Sequence, residues 1–517
     1  MPFADRPIDR ASSRKRGRIS VLALGAGLIL HSSAFAVTAR AGAPSPPLLT
    51  AAAESLLARA TEANWLGGPR PGEAWRSVIQ APNFQTDRDV GAASVGMGLI
   101  AAYDVTGDER YLAAAQGAAD FLIAAERPKG GGRWPDFFDP SGPAPTGFTS
   151  FDDGAAGIAD FLWRLWRRDR AARDRAAALT AMDWEVGQAR APRGAACPSV
   201  CFWHWRSPAS ATVYTGMGEG VAGIAWSLDA FARRLAADDP ARARRYALYA
   251  ASAAAWLETQ MRAMTLPGGG EGAAMPEQPG TRIFDTGYLS GSAGDAFLFY
   301  RLFHSTGERR YLTDAGRLFA WVRGQAVTDG ACAGAKWPIQ TSGGGSRRYA
   351  TGVEEGDAGI GWVALQAWRM LAPIDPAAAG RDLATARAAG DWLLSSCVAR
   401  PAGGGLAWPE DEGRPLIHTS LDNGAPGIAI FLADLASATG EARYRKAALA
   451  GEDWIRSVTF SDALGAYWCE NIVGGRWRLC REPSWHWGAA GITDMAARLA
   501  GWRLDIPGEQ PGLDEDD

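Results

Sequence analysis

Gly154-Ala155-Ala156-Gly157-Ile158-Ala159-Asp160-Phe161-Leu162-Trp163-Arg164-Leu165-Trp166 sets two glycines three residues apart at the head of a run that is apolar almost all round. Such a run reads as a buried helix, and glycine in its first turn lets backbones approach closely and admits a positive φ just before the helix. The same shape returns along the chain. It is found at Gly220-Val-Ala-Gly223-Ile224, Gly291-Ser-Ala-Gly294, Gly356-Asp-Ala-Gly359-Ile360, Gly424-Ala-Pro-Gly427-Ile428 and Gly488-Ala-Ala-Gly491-Ile492, with Gly91-Ala-Ala-Ser94 as a degraded first copy. The starts are separated by 63, 66, 71, 65, 68 and 64 residues. An interval that even marks an internal repeat, which takes precedence over local readings.

Each repeat reads as a pair of helices. The glycine pair opens the inner one. A turn follows, three times as Thr-Gly-x-x-Arg-Tyr (Thr106 to Tyr111, Thr306 to Tyr311, Thr439 to Tyr444), and then an Ala-rich helix such as Ala113 to Ala124 or Ala247 to Met261. A Gly-rich stretch carrying Trp leads to the next glycine pair. Seven such hairpins side by side predict an all-α fold, an α/α-toroid with glycine-led inner helices. An open solenoid needs polar caps at both ends, and the apolar last helix around Ile492 to Leu499 is no cap.

The glycine-led helix starts, the seven-fold count and the Thr-Gly-x-x-Arg-Tyr-Leu turns resemble the lanthionine synthetase C-like family over roughly the whole mature chain. Six-hairpin toroids of glycoside hydrolases and sugar epimerases share parts of the pattern. The resemblance implies a toroid whose relatives cyclise dehydrated peptides, activating thiols on a zinc held by a Cys in the fifth repeat and a Cys-His pair in the sixth. Here those places hold Glu354-Glu355 and Asp422-Asn423. Hard oxygen donors do not suit a thiolate-activating zinc, so no metal or other cofactor is expected.

The remaining composition narrows the function classes. The net charge of -4 over 517 residues implies no nucleic-acid partner. Arg14, Lys15, Arg16 and Arg18 precede a short apolar run, Val21 to Leu30, and small-x-small sites at Ala34-Phe35-Ala36 and Ala39-Arg40-Ala41. This predicts a signal peptide over residues 1–36, cleaved as late as 43 in the alternative, and a periplasmic or secreted location. The toroid is expected over 44–505, followed by an acidic disordered tail at 506–517. No later run is long enough to cross a membrane, and a closed ring is expected to be a monomer. Six cysteines in an oxidising compartment favour disulfides. Cys197 with Cys201 and Cys469 with Cys480 close short loops, leaving Cys332 with Cys397.

The two residues before each first glycine are expected to face the ring centre. They supply Asp152, Asp153, Glu219, Glu354, Glu355, Asp422 and His486 as acid/base candidates. Crowded carboxyls push one another's pKa values apart, which keeps one protonated as a general acid. Tyr214, Tyr288 and the loop tryptophans Trp134, Trp203, Trp205, Trp337, Trp408, Trp468 and Trp485 are the candidate substrate-binding set, and the Cys469 to Cys480 loop is placed over the cavity. The alternative for each carboxyl is helix capping. His204 is a second histidine candidate, while His304 and His418 read as surface or packing residues. A peptide or glycan ligand fits this cup. The function reads as peptide-modification-related without thiol activation, or as a glycan-active enzyme, or as a non-catalytic scaffold.

Overall fold

The computed structural model describes residues 47–503 apart from 63–71, 79–83, 129, 136, 139–146, 208–209, 329, 331, 342–346 and 396–397. The expected signal peptide and acidic tail lie outside the described residues. Fourteen helices are present among the described residues: α1 Pro47–Arg59, α2 Ala92–Thr106, α3 Glu109–Ala125, α4 Ala155–Asp169, α5 Ala172–Gln188, α6 Val221–Leu235, α7 Pro240–Gln260, α8 Ser292–Thr306, α9 Arg309–Gly324, α10 Asp357–Leu371, α11 Pro376–Leu394, α12 Ala425–Thr439, α13 Ala442–Ser457 and α14 Ala489–Arg503. The even-numbered helices from α2 to α14 form the inner ring, each packed on its neighbours, and α14 packs on α2 to close it. Six hairpins are continuous in sequence. The seventh joins the two ends of the chain, with α1 as the outer partner of α14. The fold is an α/α-toroid of seven hairpins. None of its helices is long and apolar enough to cross a membrane, among the described residues.

The glycine pairs are explained by space. The first glycines have φ between −89° and −125° with ψ near ±170°, an extended backbone open to any residue, so the expected positive φ is absent. A Cβ on the second glycine would instead collide with the carbonyl oxygen six residues before it. Gly157 meets Phe151 O, Gly223 meets Met217 O and Gly427 meets Leu421 O in this way. Ser94, in the degraded copy, has a use of its own. Its Oγ accepts from Trp485 N at 2.5 Å and donates to Asp89 O at 2.9 Å, bridging the first and last repeats.

The outer helices are fastened by tryptophan. The indole N–H of Trp75, Trp134, Trp203, Trp337, Trp408 and Trp468 donates to Leu56, Leu122, Glu185, Val322, Leu393 and Ile455 O respectively, at 2.7–3.1 Å. Each acceptor is in the last turn of an outer helix, where carbonyls lack an intrahelical partner. Buried Met275 holds the corresponding place after α7. A threonine five residues before the first glycine of six repeats then ties the neighbouring loop. Thr86, Thr149, Thr215, Thr286, Thr351 and Thr419 donate to the carbonyls of Pro135, His204, Pro276, Pro338, Pro409 and Cys469. Cys197–Cys201 and Cys469–Cys480 are disulfides. Cys332 is disulfide-bonded as well, and Cys397 lies outside the described residues.

Candidate active site

The turns that lead into the inner helices are stitched into a collar around the ring axis. In six repeats the carbonyl two residues before the first glycine accepts backbone N–H groups from the preceding repeat, and between the last and first repeats Ser94 Oγ bridges instead. Arg88 and Asp89 donate to Asp152 O at 3.0 and 3.1 Å, and Phe151 and Asp152 donate to Gly218 O, both at 3.1 Å. Gly218 donates to Leu289 O, Tyr288 and Leu289 donate to Glu354 O, Val353 and Glu354 donate to Asp422 O, and Leu421 and Asp422 donate to His486 O. This register sorts side chains by position. Residues three before the glycine (Arg88, Phe151, Met217, Tyr288, Val353, Leu421, Trp485) line a chamber inside the ring of inner helices. Residues two before it, and five of the seven residues one before it, line a cup at the helix N-terminal end, Leu289, Asp422 and His486 bordering both spaces.

The cup holds about 820 Å³, counting its open mouth, and all seven expected acid/base residues line it with Tyr214. Capping does not account for them. At the six inner helices from α2 to α12 the N-cap is glycine, and no side chain caps it. The floor is a buried network. His486 Nδ1 lies 2.6 Å from Asp422 Oδ2 and 3.5 Å from Asp89 Oδ1, while its Nε2 lies 3.4 Å from Arg88 Nη1. A guanidinium can only donate, so Nε2 accepts, and the imidazole proton sits on Nδ1, directed at Asp422. Burial, and then Arg88, hold the imidazole neutral, pushing its pKa down to about 4. Asp152 lies 3.5 Å from Arg88 and 3.9 Å from His486. A side chain at Gly218 would strike Asp152 Oδ2, so that glycine makes room for the carboxyl.

Above the floor the carboxyls crowd. Glu219 is exposed to solvent, yet enclosure by the cup, followed by Asp153, Asp152, Glu354 and Glu277, pushes it up to about 8. Enclosure also raises Glu354 and Glu355 to about 7, with Asp422 the next cause for Glu354, and Glu354 the next for Glu355. Burial lifts Asp422 to about 8 and Asp152 to about 6. Asp89 is raised well above the usual carboxylate range by burial and then by Asp87 and Asp422. Asp153 is raised by burial, while the indole N–H of Trp205, 3.0 Å from its Oδ2, favours the charged form. The cup therefore offers protonated and ionised carboxyls side by side at neutral pH. Asp89, Asp422 and His486 also bring one ligand atom each to within 4.8 Å of one another, a donor set that a divalent cation accepts.

The expected aromatic set divides. Trp134, Trp203, Trp337, Trp408 and Trp468 are the buried helix fasteners and are absent from the cup lining. Tyr288 and Trp485 line the inner chamber, where Trp485 Nε1 donates to Asp494 at 3.2 Å. Trp205 backs Asp153 and meets Tyr214 edge-on, with centroids 5.7 Å apart. His204 packs edge-on to Phe202, exposed His304 lies on α8, and buried His418 pairs with Glu470. The Cys469 to Cys480 segment is a β-hairpin that adds no residue to the cup lining. Asp89 and Trp487, whose Nε1 donates to Asp89 at 2.9 Å, stand at positions expected to face the ring centre without a role assigned to them, and two further contributors, Arg88 and Glu277, were not singled out from sequence. Arg88 carried a signal, since the other six residues at its repeat position are all apolar or aromatic.

The fold is similar to that of nisin cyclase, with a TM-score of 0.50 and 11% identity over 83% of this chain and 91% of that one. Other similar structures are a sugar epimerase from a ruminal bacterium (TM-score 0.44, 11% identity, 84% and 92% covered) and an α-1,6-mannanase from Salegentibacter sp. HEL1_6 (TM-score 0.41, 11% identity, 89% and 99% covered). No family model and no curated protein matches the sequence. At this identity the likeness to nisin cyclase shows the fold alone.

Proposed function

We propose that the protein is an exported glycan-active enzyme whose cup hydrolyses a glycosidic bond by paired carboxyl chemistry. The observation that carries this reading is the pairing of Glu219, raised to about 8, with Asp153, whose carboxylate is braced by the Trp205 indole. A carboxyl kept protonated and a second braced in its charged form by an indole N–H, in one cup, are what glycoside hydrolysis requires. Glu219 gives its proton to the leaving oxygen as the bond to the anomeric carbon breaks. Water adds to that carbon and passes a proton to Asp153, and exchange with solvent restores both groups. Tyr214 and Trp487 offer ring faces to the sugar, and the uncharged, protonated carboxyls donate hydrogen bonds to its hydroxyls.

Peptide cyclisation through a metal-bound thiolate is the reading that the fold neighbour invites. It is less favoured here because the cup lining contains no cysteine. The test is reducing-sugar release from a panel of oligosaccharides by the wild type, Glu219→Gln and Asp153→Asn. Activity on one linkage class that both variants lose supports the reading. Activity that survives both, or no turnover of any glycan alongside modification of a peptide, overturns it.

A further inference from the structure

Below the collar, the inner helices enclose a chamber of about 860 Å³, counting its mouth, walled by Phe151, Met217, Trp226, Trp362, Ile430 and Phe431. The mostly apolar, aromatic lining is that of a small-molecule site. The aromatic walls are set in fixed edge-on pairs, Phe151 with Trp226 at 4.9 Å and Tyr288 with Trp362 at 5.1 Å. Its roof is the layer three residues before each glycine, apolar or aromatic in six repeats and cationic in one, with Leu289, Asp422 and His486 of the next layer reaching it as well. That cation, Arg88, is 7% exposed and held between the rings of Phe151 and Trp485, with its carbon 4.4 and 4.6 Å from their centroids. Its Nε is buried without a hydrogen-bond partner. Its contact with Asp152 is long, at 3.5 Å.

A guanidinium with spare donor capacity at the end of an apolar chamber selects for an anion carried on an apolar body. At the other end, Arg164 and Arg498 reach solvent with 22% and 29% of their side chains exposed, and each is already paired, with Asp160 and Asp494. That end provides entry, and its cations are committed.

We infer that the chamber is a second binding site, for a small apolar monoanion such as an aromatic or alkyl carboxylate, with its charge on Arg88 and its body among Trp226, Trp362 and Phe431. The test uses the full mature chain with two fluorescent probes of like shape, the anion anilinonaphthalene sulfonate and neutral phenylnaphthylamine. The anion is expected to bind at one saturable site, about tenfold more tightly than the neutral probe, the worth of one charge-assisted hydrogen bond. Ile430→Trp, which fills the chamber and leaves the cup lining intact, is expected to abolish binding of both. Arg88→Met is expected to remove the preference for the anion, and Arg498→Gln to preserve it. If Arg88→Met does not fold, Ile430→Trp and Arg498→Gln still decide. Absence of saturable binding, equal affinity for the two probes, binding that survives Ile430→Trp, or a preference lost with Arg498 overturns the inference.

Discussion

The cup and the chamber are built from adjacent residues of the same seven turns, yet one is lined with carboxyls and the other with aromatic rings. Moving one residue along the turn, from the third to the second position before the glycine, takes Phe151 to Asp152, Leu421 to Asp422 and Trp485 to His486. The collar of backbone hydrogen bonds sets the two layers apart, so a short segment makes two environments without any change of fold, and only Leu289, Asp422 and His486 border both. Arg88 is where the two meet. It belongs to the apolar layer by position and to the acidic floor by its contacts with Asp152 and His486.

The comparison is broken most sharply by removing the cup's proton donor. Glu219→Gln is expected to lower kcat by about a hundred- to ten-thousand-fold, the usual worth of a general acid, with the fold intact by circular dichroism. Removing the shared cation comes next. Arg88→Met leaves buried Asp152 without its counter-charge and is expected to cost ~3 kcal/mol in denaturant unfolding. If the cost is below ~0.5 kcal/mol, the typical scatter of neutral surface changes, the floor does not depend on Arg88.

Two tryptophans sharpen the comparison further. Trp408→Phe removes an N–H donor from the buried Leu393 carbonyl and is expected to cost ~1–2 kcal/mol of stability. Trp205→Phe is expected to leave stability within ~0.5 kcal/mol, lower glycan affinity and raise the pKa of Asp153. The pH dependence of stability follows from the raised carboxyls. Ordinary carboxyls lose their protons at ~4 when unfolded, while in the folded chain Glu219 and Asp422 keep theirs to about 8. The folded state thus binds more protons between these limits, and stability falls as pH rises. His486, lowered to about 4, has the opposite effect, but only below its unfolded value of ~6.5. The melting temperature is therefore expected to drop from neutral pH toward about 8, and less steeply in Glu219→Gln. The smallest effect is a control away from both regions. Gly316 in α9 has open space at its Cβ, so Gly316→Ala is expected to stabilise by ~0.5–1 kcal/mol.

The ring was legible because its signal is a spacing. Crowding at the second glycine forbids a side chain in repeat after repeat, and that prohibition is written directly into the sequence. The cup acids were legible for the same reason, since their positions are counted from the glycines. The loop tryptophans were not, because composition gives no direction. Trp203 and Trp205 sit two residues apart, and only the position of the Glu185 carbonyl sends one indole to a helix end and leaves the other beside Asp153. The two-sided register of the turn was hidden as well. It depends on hydrogen bonds between repeats, such as that from Gly218 N to Leu289 O, which no local pattern encodes. The completion of the last hairpin by α1 likewise links residues at opposite ends of the chain.

Hydrolysis in the cup depends on Glu219 staying protonated at neutral pH, and infrared spectroscopy of the carboxyl stretch reads that protonation state. Other buried acids, Glu185 and Asp295 among them, contribute to the protonated band, so the measurement is the difference spectrum between the wild type and Glu219→Gln as pH is raised. The account predicts a protonated-carboxyl band in that difference at pH 7, vanishing as pH passes about 8. A difference spectrum showing only ionised carboxylate at pH 7 would contradict it, and would leave the cup as an acidic surface without a proton donor.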